Sequence, residues 1–184
     1  MSIRTRVEDA IFLWEHGRLE GGFLSVLVAV AASARRQFPD RKAVGDRESF
    51  ERFLSNAHTV RISIEYRGEC HPIEHIFYKW LRCELVHEGS IPIDIQFMSG
   101  EKPGVLSVRA GGTPEYVLKI SHGWFYHLVN LVIRATVNID EFRDCDIDES
   151  QLADLYAEFN QEDRRPSEGG LANYLLGLRE EDAV

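Results

Sequence analysis

The chain has 184 residues, which suits one domain, and its 44% hydrophobic content is enough for a core. A formal net charge of −9 excludes a grip on nucleic acid through a wide basic surface, so an RNA-directed role needs a local basic cleft or a partner. Cys70, Cys83 and Cys145 are scattered and form no CxxC pair, which fits reduced thiols in a cytoplasmic protein better than a disulfide framework.

Residues 4–15 place Val7, Ala10, Ile11 and Trp14 at helical spacing, with Gly17 to close the helix. A longer helix follows on the face Leu19, Phe23, Val26, Leu27, Val30, Ala31 and Ala34. It ends on Arg35-Arg36, which suits the negative end of the macrodipole, with Pro39 just beyond. Its apolar stretch from Phe23 to Ala32 is too short to span a membrane, and the N-terminal residues hold no apolar signal-peptide core. Asp46 is placed to cap a short third helix holding Phe50, Phe53 and Leu54. The period then changes, because Val60, Ile62, Ile64 and Tyr66 alternate with polar residues as in a half-buried strand.

Pro72 opens a central helix with the apolar stripe Ile73, Ile76, Phe77, Trp80, Leu81 and Leu85, closed by Gly89. Short alternating runs follow at Ile93 to Phe97, Val105 to Val108 and Tyr116 to Ile120. Turns at Ser99-Gly100 and Gly111-Gly112-Thr113-Pro114 separate them, which predicts a small antiparallel β-meander over residues 93–120. Residues 121–137 return to helix with Trp124, Phe125, Leu128, Val129 and Val132 inward. The acidic residues 141–184 predict a helical extension with a solvated face.

On the central helix, Arg82 is followed five residues later by His87, in the final two turns and just before glycine. The segment Tyr78-Lys79-Trp80-Leu81-Arg82-Cys83-Glu84-Leu85-Val86-His87-Glu88-Gly89 resembles the signature helix of HEPN domains, in which a histidine follows an arginine after four to six residues. Arg52 and His58 meet the same spacing, and context favours the first pair. The resemblance covers residues 4–140 and implies a single, mainly helical HEPN-like bundle, with the β-meander inserted after the motif helix. It also implies a cofactor-free homodimer in which two motifs form one cleft, acting as a toxin- or defence-type ribonuclease, with an antitoxin or other protein as a possible partner.

The chemistry follows from the residue types. On an ideal α-helix residues five apart lie about 140° apart, so both flank the stripe without sharing a face. A histidine at the carbonyl end is favoured in its protonated form and is suited to moving the proton of a 2′-hydroxyl. An arginine offers a positive fork to a phosphate and to the charge that grows on it. His87 is therefore expected as acid/base and Arg82 as phosphate stabiliser, with Tyr78, Cys83 and Glu84 in support. Cys83 departs from the family pattern, which often has Asn, Asp or His after the arginine, and its thiol is a poor orienting group. A salt bridge from Arg82 to a carboxylate, Glu88 or one on another helix, and a capping role for His87, are the structural alternatives. A non-catalytic module binding a protein or a nucleotide-like ligand is the functional one.

His71-Pro72-Ile73-Glu74-His75 spells H-x-x-E-H, a zinc-peptidase pattern that needs both imidazoles on one helix face. Pro72 makes His71 a cap or pre-helical residue, so the two rings need not converge. His122 and His127 are read as hydrogen-bonded structural histidines in the second long aromatic helix, and Gly111-Gly112 as a turn.

Overall fold

The computed structural model describes residues 2–58, 61–98, 108–109, 111 and 117–143. The strand starts expected at Val60, Val105 and Tyr116, the turns at Ser99-Gly100 and Gly112-Thr113-Pro114, Cys145 and the helices of the acidic extension lie outside these residues. No described helix is long and apolar enough to cross a membrane.

Helix α1 (Ile3–Glu15) begins where the Ser2 hydroxyl accepts from the Thr5 amide, and it buries Ile3, Val7, Ala10, Ile11 and Trp14. Gly17 takes φ +71°, and α2 (Leu19–Gln37) starts two residues on. The two helices pack closely because Gly22 has no side chain. A Cβ there would meet the Ala10 carbonyl oxygen at 3.0 Å and the Trp14 amide at 3.1 Å. At the far end of α2 one of the two expected basic residues, Arg35, satisfies carbonyls, while Arg36 reaches the Asn138 and Glu141 side chains. Arg35 Nη1 donates to the Phe38 and Val44 oxygens at 2.8 and 3.1 Å.

The third helix, α3 (Asp46–Ala57), has Gly45 at its cap. Asp46 is the first helical residue rather than the cap, because its carboxylate accepts from Arg35 Nη2 at 2.7 Å.

The alternating segment forms β1 (Ser63–Tyr66), and an unanticipated partner, β2 (Glu69–Pro72), pairs with it antiparallel. Arg67 and Gly68 make the two-residue turn, both at positive φ (53° and 79°), as a hairpin of this hand requires. The turn is pinned from outside. Arg67 donates to both Asp94 oxygens at 2.8 Å and lies over Trp80 at 4.4 Å, while the buried Tyr66 hydroxyl donates to Asp94 at 2.7 Å.

The central helix runs over residues 73–87. Its ends are α-helical (α4, Ile73–His75; α5, Glu84–His87), and its middle, Ile76–Cys83, is π-helical. It buries Ile73, Ile76, Phe77, Leu81 and Leu85, and Gly89 closes it at φ +75°.

The sheet after it is not the expected antiparallel meander. β3 (Ile95–Met98) pairs in parallel with β5 (Leu118–Ser121), and β4 (Val108–Arg109) lies antiparallel on the other side of β5. The order is β3-β5-β4 because β5, with Leu118, Ile120 and Ser121 buried, is the strand suited to the middle.

Helix α6 (Gly123–Arg134) presses its aromatic face on α1 and the central helix. Phe125 stacks on Trp14 at 4.1 Å, and Trp124 meets Phe77 edge-on at 5.1 Å. A 3₁₀ turn (Thr136–Asn138) then returns the chain to α2, where buried Asn138 donates to Ser33 Oγ and the Val132 oxygen, each at 2.8 Å.

Candidate functional site

Two places carry the sequence-predicted chemistry. The first is the C-terminal end of the central helix. Arg82 is half-buried with its guanidinium over the Tyr78 ring at 5.4 Å, and its Nε makes no hydrogen bond. Among the described residues it makes no ion pair, so the salt bridge to Glu88 is not formed. His87 is exposed and, among the described residues, makes no hydrogen bond. Nor does any hydrogen bond or ring contact join Arg82 to His87.

Between them Val86 leaves 53% of its surface open. The α-helical angle expected between the pair does not carry over, because Arg82 and Cys83 sit in the π-helical stretch, where i→i+5 bonding widens the turn. Burial raises the Tyr78 pKa and the neighbouring Cys83 adds to the rise. Glu84 lies in reach of Arg67, whose positive charge it favours after Asp94.

The second place is a cleft of about 460 Å³ between α3 and the β1–β2 hairpin. Glu51, Arg52, Ser55 and Asn56 line it from α3, and Arg61, Ile62, Ser63, Pro72 and Glu74 line it from the hairpin and the start of the central helix. Behind its two carboxylates stand two histidines. His58 Nδ1 is 3.0 Å from Glu74 Oε1, and His75 Nδ1 is 2.9 Å from Glu51 Oε1.

Glu74 is buried, which by itself would raise its pKa. The His58 hydrogen bond, a backbone amide and Arg61 outweigh this and hold it below the ordinary carboxylate value. An ionised carboxylate only accepts, so His58 carries its proton on Nδ1. The other nitrogen, Nε2, is buried and makes no hydrogen bond. His58 stacks on His127 at 5.3 Å, and the His127 pKa falls to about 4 through burial and the nearby His58.

The H-x-x-E-H segment is thus partly assembled. His71 on β2 and His75 on α4 do converge, with ring centroids 5.1 Å apart, although Pro72 keeps His71 out of the helix. The hairpin achieves this by folding β2 back beside the helix start. Glu74, however, turns to His58 and not to these rings. Among the described residues no three His, Cys, Asp or Glu side chains are placed to hold a metal ion.

His58 and Arg52 were visible as the second match to the Arg/His spacing. Nothing in the sequence pointed to Glu51 or Arg61, whose roles depend on the unanticipated hairpin. A wider groove of about 880 Å³, between the α1–α2 turn and the approach to β3, is lined mainly by apolar residues, with Arg18 and Glu20 its charged members.

The described residues define a mainly helical protein with two small sheets, one of them an antiparallel hairpin. The Rv1289 family model matches residues 2–159, and the chain belongs to that family. No curated protein and no solved structure matches it.

Proposed function

We propose that the chain is a HEPN-type, metal-independent endoribonuclease working as a homodimer, with His87 as acid/base and Arg82 as phosphate stabiliser. The observation that supports this reading best is the state of Arg82. Its guanidinium is half-buried on an aromatic ring with an unpartnered Nε, and no described carboxylate neutralises it. A cation held this way gains most when a phosphate arrives. His87, open one turn on, is free to move a proton.

On this reading, as the resemblance implies, a second chain completes the cleft. The exposed Val86 between them supplies an apolar contact for that pairing. On this reading the enzyme is a cytoplasmic toxin- or defence-type nuclease whose activity a protein partner restrains.

The test is cleavage of a single-stranded RNA in the presence of a chelator. The parent is expected to cut the RNA and to leave its 2′-deoxy counterpart intact. Arg82→Ala and His87→Ala are each expected to lose on the order of a hundredfold or more in rate. Cleavage by both variants at the parent rate would remove the assignment.

A further inference from the structure

We infer that the cleft between α3 and the β1–β2 hairpin binds a small phosphorylated polyol, a sugar phosphate. This inference stands apart from the ribonuclease reading, because it concerns the opposite end of the central helix and is read by binding.

The cleft, at about 460 Å³, falls in the range of small-molecule sites. Its positive charge comes from Arg61 and Arg52. Arg61 is exposed and, among the described residues, makes no ion pair. Arg52 pairs with Glu48 one turn back at 2.6 Å, an exposed contact of the weak kind that a phosphate displaces. Both guanidiniums are therefore available to a phosphate as bidentate donors.

The inner wall has the opposite character. The Glu74 side chain is 7% exposed and ionised, and His58, 5% exposed, fixes its Oε1. Such a group accepts from hydroxyls. Ser55, Asn56 and Ser63 add neutral donors and acceptors to the lining.

This polarity selects among ligands. A bare inorganic anion would gain from the arginines but be repelled by Glu74, and less by Glu51, whose Oε1 Arg47 already pairs at 2.8 Å. A nucleobase would find no aromatic ring among the lining residues to stack on. A metal ion lacks a ligand set among the described residues. A ligand with phosphate at one end and several hydroxyls at the other meets both ends. The same chemistry is offered by a free sugar phosphate and by the ribose-phosphate backbone of RNA.

The experiment is isothermal titration of the full chain with ribose 5-phosphate, ribose, inorganic phosphate and an octauridylate. Ribose 5-phosphate is expected to bind with Kd of about 1 mM or tighter, and ribose and phosphate at least about tenfold more weakly. Arg61→Ala, an exposed change that leaves the fold alone, is expected to weaken binding about tenfold, and Glu74→Gln should act in the same direction. Tighter binding of the octauridylate, lost in Arg61→Ala, would support the site and make RNA its source of ribose phosphate. The inference is overturned if ribose 5-phosphate gives no binding, if inorganic phosphate binds as tightly, or if Arg61→Ala binds like the parent.

Discussion

His127 lies against His58 with its Nε2 buried and unpartnered, and burial together with that neighbour holds its pKa down to about 4. In the unfolded chain the same ring protonates near 6.5. Between these values the unfolded state binds more protons. The contribution of this group to stability is therefore complete above 6.5 and is lost as pH falls toward 4. The slope for one such group is at most about 1.4 kcal/mol per pH unit. Burial depresses His122 as well, with the same sign. Glu74, whose pKa is also lowered, adds a loss that begins only below the ordinary carboxylate value of 4.5. Urea melts of the parent should show the midpoint falling from pH 6.5 to pH 5, and His127→Phe should flatten that fall. An equally steep fall in the variant would show that the proton goes elsewhere.

At the scale of elements, packing depends on residues whose importance is geometric. Gly22→Ala tests this, since alanine is the better helix former by about 1 kcal/mol. Its Cβ, however, would meet the Ala10 carbonyl oxygen at 3.0 Å and the Trp14 amide nitrogen at 3.1 Å, and backbone atoms in a packed helix have little room to yield. The close approach should win, with a net loss of about 1–3 kcal/mol in denaturant melts. A more stable variant would mean that α1 shifts freely on α2.

The hairpin supplies a second case. Asp94→Ala takes the acceptor from the buried Tyr66 hydroxyl and both bonds from the Arg67 turn, and it should lower stability by about 1–3 kcal/mol. If the melt does not move, the clamp does not hold the hairpin.

These elements also mark what the sequence reveals. Helices α1, α2 and α6 and the central helix were legible because their apolar residues recur at three- and four-residue spacing. The glycines after α1 and the central helix closed them as expected. β2 was hidden because Glu69-Cys70-His71-Pro72 has no apolar alternation and is defined by its partner. The β3-β5 pairing was hidden for a related reason, as strand order depends on which strand buries most. The π-helical stretch leaves no periodic trace in eight residues, yet Arg82 lies within it and His87 beyond it. Of the cleft, only Arg52, His58 and the H-x-x-E-H residues stood out. Their true pairing, Glu74 with His58 and His75 with Glu51, is a product of the fold.

For the whole molecule, the acidic balance and the proposed chemistry must be reconciled. A net charge of −9 repels RNA at long range, so an active nuclease of this composition needs its cations concentrated. Two copies paired across α5 would bring two Arg82 and two His87 side chains to one seam, doubling the local charge without changing the rest of the surface. The contact residue available for this is Val86, exposed on α5 between the two. A charge placed there should prevent the pairing while leaving each monomer folded, because Val86 is outside the core. Sedimentation of the parent should then give a dimer and that of Val86→Asp a monomer of unchanged helical content. RNA cleavage should fall in step with dimer content and return at high protein concentration. A parent that sediments as a monomer while cutting RNA would break the link between pairing and catalysis. A Val86→Asp variant that stays dimeric would move the interface away from α5.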